Sequence, residues 1–284
     1  MNKKFLALFG LKWNPFATEV PLEGLLVTAR IESFCFRIEN GLAREGGFAQ
    51  LDGDPGTGKS VSLRVLADRL GKLRDVMVGP ITHPTSGLAD FYRELGELFE
   101  IEDLKPHNRW SGFKQLRERW QDHIKKTLVR PILLVDDAQD MKVEVLKELR
   151  HLTSADYDSK HLLSVVLAGE ASLAELLRRP ELAALASRVR TRLSLDGASS
   201  DELLACLKHA CAAAGNAKLI TADLAKALVE HALGNYRTLM QHANELLVAG
   251  AEREASQLDE KLFFEIFQPN TDKGSRTSVA TKRR

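Results

Sequence analysis

Apolar residues recur along this chain in two rhythms, and the change falls near Leu195. Before it, short apolar runs alternate with stretches whose apolar residues fall three and four apart, the spacing of one helix face. The first such stretch predicts a helix over residues 28 to about 42. GGFAQLDG follows and reads as a strand entering a glycine-rich turn. Residues 59 to about 70 are predicted helical, with Val61, Val65, Leu66 and Leu70 on one stripe. VMVGPI, from Val76, predicts a second strand. Ser86 is placed to cap a helix reaching about Phe99, with Leu88, Phe91, Leu95 and Leu98 inward. Phe113, Leu116, Trp120 and Ile124 mark another helix. Pro131 opens ILLVDD, apolar enough to be a strand buried on both faces. A helix with Val145, Leu146 and Leu149 inward leads to a fourth strand over residues 162–169. Residues 172–186 are predicted helical with a break at Pro180, and RVRTRLSL, residues 188–195, alternates as a fifth strand. Strands alternating with helices predict an α/β domain around a mostly parallel sheet.

After residue 198 only helical spacing remains. Ser199-x-x-Glu202 is a capping box, and the helix behind it ends near Gly215. Thr221 can cap a second helix that stops at Gly234; a third runs from about 236 to 254 and a fourth over 259–267. No internal repeat interrupts this order. Residues 268–284 are polar and aperiodic, the signature of a disordered tail. That tail carries Lys273, Arg276, Lys282, Arg283 and Arg284 against Asp272 alone. The expected division is therefore an α/β domain over 1–197, a small all-helical domain over 198–267, and a basic tail.

Composition narrows the class. With 284 residues, 44% hydrophobic and 28% charged, the chain can bury a core, which excludes collagen, long-range disorder and a disulfide scaffold. Forty basic residues against 39 acidic leave a formal charge of +1, so any pull toward nucleic acid or an acidic membrane must come from a local patch. Cys35, Cys206 and Cys211 show no CxxC spacing, which fits a reducing compartment and argues against structural zinc. No apolar run approaches the ~18 residues of a spanning helix. Lys3 and Lys4 precede FLALFGL, but that run stops at Lys12 without a small-residue cleavage site. An amphipathic start, a cytoplasmic location and no membrane partner are expected.

One segment carries chemistry. GDPGTGKS (Gly53, Asp54, Pro55, Gly56, Thr57, Gly58, Lys59, Ser60) fits G-x-x-x-x-G-K-[ST] at every fixed position. Glycines let backbone N–H groups turn inward toward phosphate oxygens, and the helix behind them, with Val61 in its first turn, adds a positive end. Lys59 can reach the β- and γ-phosphates, and the Ser60 hydroxyl can take one position on Mg²⁺. The predicted strand before and helix after supply the context the motif needs. ATP and Mg²⁺ are the expected cofactors. ILLVDD supplies the acidic partner: Asp136 ends an apolar strand, where it can hold the metal through water, and Asp137 follows, where a base or water-orienting group would sit. A plain N-terminal cap for the next helix is the lesser alternative for either carboxylate. The helices and strand between the two motifs fit the additional-strand class of these ATPases.

The match goes further. FGLKWNPFA, GDPGTGKS, LLVDDAQ, VLKELRHLTS, VVLAGEASL, PELAALASRVRTRLSL and GNYRTLMQHAN occur in that order. Together, over about residues 5–250, they resemble the AAA+ ATPases of the general secretion pathway A type, and they are similar to the transposition ATPases of the TniB, TnsC and IstB kind. The resemblance implies a P-loop NTPase of AAA+ type, a three-layer parallel-sheet domain followed by a helical lid. It implies that Arg237, in GNYR, is a sensor arginine touching the γ-phosphate in cis. Arg188, in ASRVR, matches an arginine finger acting on a neighbouring subunit, with Arg190 as the alternative. Glu170 lies near the first sensor position, where the family carries an uncharged polar residue. Asn14, Pro15 and Phe16 would line the adenine pocket, although Phe16 could equally be core. Asp137 departs from the family's usual Glu, which implies slow hydrolysis and a long-lived ATP state.

The secretion branch continues into a membrane anchor and a peptidoglycan-binding domain, and this sequence stops at Arg284 with neither. The expected role is therefore a transposition helper. It would form a homo-oligomeric ring or filament with ATP, bind double-stranded DNA without sequence preference, and recruit a transposase. Lys114, Arg117, Arg119, Lys125 and Lys126 share one helix and could meet phosphates, although Glu118 and Asp122 dilute them. A secretion-assembly ATPase, or an ATP-gated assembly switch without DNA, stands as the alternative. Cys206 and Cys211 read as core among alanines, and His83 reads as a loop histidine that could approach the nucleotide.

Overall fold

The computed structural model describes residues 3–101, 109–156 and 159–267. The chain divides into two compact units, Val27–Ala198 and a second made of Met1–Leu26 with the chain from Ser199 onward.

Among its described residues the first unit has seven strands: β1 Gly47–Gly53, β2 Val76–Ile81, β3 Arg130–Val135, β4 Ser154–Ala155, β5 Lys160–His161, β6 Ser164–Gly169 and β7 Val189–Leu195. Five of them form one parallel sheet in the order β2-β3-β6-β1-β7. The expected extra strand is present: β6 lies between β1 and β3. The interior strands are apolar on both faces because helices cover both, and side chains alternate between them. Leu133, Val135, Val165 and Leu167 join a core with the helices Leu88–Leu98, Arg109–Thr127, Val143–Leu152 and Ala171–Leu177. Trp120 is fully buried there, edge-on to Phe99 with ring centroids 5.2 Å apart. The opposite face packs the helix Lys59–Gly71, which brings buried Leu66 and Leu70. Arg69 of that helix pairs with Glu32 at 2.7 Å and with Glu39.

Local details depart from the periodicity. The first long helix is Ala29–Arg37, capped by Thr28; a π-helical turn, Ile38–Leu42, then carries the chain to Ala43–Glu45. Ser86 is not the cap, because Gly87 occupies that position and the helix starts without a side-chain cap. The strand expected from residue 162 starts at Ser164, since the Leu162 N–H bonds Thr153 O at 2.8 Å beside the small antiparallel ribbon β4–β5. That ribbon was not foreseen.

The second unit contains the helices Ser200–Ala213, Ala222–Ala232, Tyr236–Glu252 and Glu260–Phe267. The capping box at Ser199 is formed in both directions. Residues 1–26 were expected in the α/β domain; the contacts of residues 3–26 group them with these helices instead. The Lys12 N–H donates to Ala214 O at 2.8 Å and Asn216 Nδ2 to Phe9 O at 2.8 Å. Phe9, on the apolar N-terminal run, is buried beside Gly250 of the third helix, where an added Cβ would collide with Leu258. The basic tail lies outside the described residues.

Candidate functional site

β1 runs straight into the glycine-rich loop. Gly53 pairs with Leu195 of β7, and a Cβ there would collide with Leu195 O and lie 2.8 Å from Thr57 Oγ1. Only glycine fits that approach. The turn is tied by Thr57, whose Oγ1 donates to Asp54 O at 2.8 Å. Gly56 and Gly58 have φ of +85° and +101°, the left-handed region in which a side chain is costly. The helix Lys59–Gly71 therefore starts without a side-chain cap. Its first N–H groups have no intrahelical partner, and an anion is their natural one.

Lys59 is only 8% exposed. Its Nζ donates to Gly53 O at 2.8 Å and Asp54 O at 3.0 Å. The ammonium is thus held under the loop by neutral carbonyls, weaker acceptors than phosphate oxygens. Ser60 is exposed, Val61 half-buried, and Asp54 and Pro55 form the exposed rim.

Sheet register brings the second motif alongside. Leu167 of β6 pairs with Gln50 on one side and Val135 on the other. Asp136, the next residue, is therefore level with Leu51 and two strand spacings away, about 10 Å. Asp136 is half-buried, and its Oδ1 accepts from the Asp137 N–H at 3.1 Å. Asp137 is exposed with φ 51° and ψ 39°, a left-handed conformation that Asp tolerates better than most residues. Among the described residues no group of three or more His, Cys, Asp or Glu could hold a metal alone. Hard oxygen donors at Ser60 and Asp136 fit Mg²⁺ shared with phosphate oxygens, the usual arrangement for that ion. Bound there, it would neutralise phosphate charge.

Sequence reasoning missed Gln139. Its Nε2 donates to Asp137 Oδ1 at 3.3 Å and its Oε1 accepts from the Glu170 N–H at 3.0 Å. Gly169 makes room, because a Cβ there would stand 2.5 Å from Gln139 Oε1. The LLVDDAQ string contains this glutamine, but only the three-dimensional turn after β3 shows what it touches. His83 sits in the exposed loop after β2, with Nδ1 2.9 Å from Thr82 Oγ1 and 3.9 Å from Glu94.

The remaining candidates lie elsewhere. β1 and β7 are parallel, so Arg188, preceding β7, is at the end of the sheet away from the loop, roughly 20 Å along seven residues. Arg188 is half-buried and donates from Nη1 to Arg150 O at 3.3 Å. The β1–β7 register shifts between Phe48 and Ala49, which leaves Arg190 without a paired residue. Arg190 forms an ion pair with Glu45 at 2.7 Å. Glu170 is exposed at the start of the helix Ala171–Leu177. In the second unit Arg237 is exposed on the first turn of Tyr236–Glu252, behind the Asn235 cap. Asn14 and Phe16 are buried; Asn14 donates to Asn244 Oδ1 at 2.7 Å and accepts from the Phe16 N–H at 3.0 Å. Burial pushes the thiols of Cys35 and Cys206 up to about 11 and that of Cys211 up to about 12. None of them is a ready nucleophile at neutral pH.

Residues 43–177 match the AAA domain family. The chain is 31% identical over 214 residues to general secretion pathway protein A of Aeromonas hydrophila, covering 74% of this chain and 38% of that protein. It therefore spans less than two-fifths of that relative's length. Solved structures share the fold at low identity. Cdc6p from Pyrobaculum aerophilum gives a TM-score of 0.66 at 16% identity, covering 89% of this chain and 68% of that one. The Aeropyrum pernix ORC1 protein, in complex with DNA, gives 0.64 at 17%, over 89% and 67%. The Thermotoga maritima RuvB branch migration motor gives 0.59 at 16%, over 88% and 72%. At these identities the likeness is one of fold.

Proposed function

We propose that this chain, which carries an AAA domain on an AAA+ P-loop fold, binds ATP with Mg²⁺ and hydrolyses it slowly. The observation that carries the reading is buried Lys59, held under the Gly53–Ser60 loop, with Asp136 two strands across the sheet, beyond β6. Loop N–H groups and Lys59 take the phosphates, while Ser60 and Asp136 hold the metal. Asp137 orients a water and accepts its proton as the water oxygen bonds to the γ-phosphorus. The bridging O–P bond breaks and ADP leaves with its electron pair. Calorimetry with ATP and Mg²⁺ tests the binding step. Exchanging neutral for charged acceptors makes Lys59 worth ~1.5–3 kcal/mol. Lys59→Ala should weaken binding by about ten- to a hundredfold; intact binding would overturn the reading.

The domain would work as a homo-oligomer. Arg188 lies too far from its own loop to serve it, which supports action on a neighbour's ATP, with Arg190 as the alternative. Arg237 would contact the γ-phosphate in cis, and Phe16, with Asn14 and Pro15, would lie over the adenine. For the downstream role, the 31% identical secretion protein supports an ATP-gated assembly ATPase. The structure thins the charge proposed for DNA. Lys114 lies 3.8 Å from Glu118, Lys126 lies 3.1 Å from Asp122, and Arg117 is turned onto His151 O and Ser154 O. Sequence-independent DNA binding keeps a second place, because exposed Trp110 stands on that helix beside Lys114, 5.6 Å from its ring, and the fold is shared with a DNA-bound protein. A transposase partner and a cytoplasmic location rest on the sequence alone. Negative-stain microscopy with a non-hydrolysable ATP analogue, with and without duplex DNA, separates the roles. Rings without DNA support assembly; rings or filaments only on DNA support transposition; monomers throughout would remove Arg188 as a finger.

A further inference from the structure

We infer that Gln139 is a positioning residue for hydrolysis. It holds the Asp137 carboxylate in place and ties it to the end of β6. This rests on the ATPase reading and adds a residue to it.

Four features converge on this side chain. Asp137 sits in the left-handed region, so its carboxylate leaves the backbone in a direction that the strand β3 does not control. Gln139 Nε2 takes one of its oxygens, Oδ1, and leaves Oδ2 for a water. The other end of the same amide receives the Glu170 N–H, the first backbone group after β6. The orientation of the amide is fixed by chemistry. Turned over, it would set NH₂ against the Glu170 N–H and C=O against a carboxylate oxygen, two repulsive pairs. Finally, Gly169 leaves the space that Oε1 occupies. Because β6 runs between β1 and β3, a shift at its end is passed through Gln139 to Asp137.

The test uses the full chain and two measurements, equilibrium ATP·Mg²⁺ affinity and single-turnover hydrolysis. Gln139→Glu keeps length and the acceptor for Glu170, loses the donor to Asp137 and sets a second carboxylate against it. Gly169→Ala leaves Gln139 in the sequence and displaces its tip. Both should lower the hydrolysis rate at least about tenfold while ATP affinity stays within about threefold, the split expected of an interaction made in the transition state. Adding Gln139→Glu to Asp137→Ala should change the residual rate less than about twofold, since one residue acts through the other. A Gln139→Glu protein that turns over like wild type would overturn the proposal, and so would multiplied effects in the double variant. Circular dichroism melting of each variant identifies loss of fold. If Gly169→Ala is unfolded, the Gln139→Glu and double-variant results decide. If wild type binds ATP and never cleaves it, the ATPase reading itself falls and this proposal with it; a Gln139 failure differs because wild type still hydrolyses.

Discussion

Asp137 joins two facts that come from different sources. The resemblance marks it as one methylene shorter than usual, and its φ of 51° is a conformation in which a short side chain with a local hydrogen bond is favoured. Asp137→Glu should therefore raise turnover, read as phosphate release, at a stability cost of under about 1 kcal/mol read by thermal melting. An unchanged or lower rate would count against Asp137 as the water-orienting group. The thiols offer a separate check. Burial raises Cys206 to about 11 and Cys211 to about 12, while the same groups in the unfolded chain titrate near 9.0. Folding thus favours their neutral forms. The sign is fixed: this contribution is whole below pH 9.0, and it is lost as pH climbs through about 11 to 12. Native protein should resist aromatic disulfide reagents at pH 8 and react fully once unfolded, and melting temperature should fall in the alkaline window.

At the scale of elements, the segment that matters most is strand, loop and helix read as one piece. Gly53 is the hinge of that piece, pressed against Leu195 O of the neighbouring strand. Gly53→Ala should cost ~1–3 kcal/mol of stability, the range for forced overpacking, measured by denaturant unfolding. Most of this piece was legible beforehand. The loop, its flanking strand and helix, and Asp136 at the end of β3 followed from spacing and apolar runs, because local sequence dictates them. The spacing of the two motifs pointed to the additional-strand class, although the strand inserted between them, β6, follows both in sequence and the intervening β2 lies at the sheet edge. What stayed hidden was set by tertiary contacts. The π-helical turn Ile38–Leu42, the β4–β5 ribbon and the register shift at Arg190 leave no periodic trace. Gln139 was hidden for the same reason: its partners are Asp137 on its own turn and Glu170, just past the end of β6.

For the whole molecule, periodicity found both units but misplaced the first 26 residues, since an amphipathic start says nothing about which core it joins. Their hydrogen bonds to Ala214 and Asn216 decide that question. Cutting the chain at residue 26 would thus strip the helical unit of Phe9 and expose its core, whereas the sheet unit contains the complete loop. The position of Arg188 has a further consequence. If every reaction centre borrows its finger from the next subunit around a head-to-tail ring, then Lys59→Ala and Arg188→Ala preparations are each dead for different reasons. Blended in equal amounts and allowed to exchange subunits, they should revive, because about a quarter of the junctions would unite an intact lysine with an intact arginine. A mixture as inert as its parents would mean that each copy works alone.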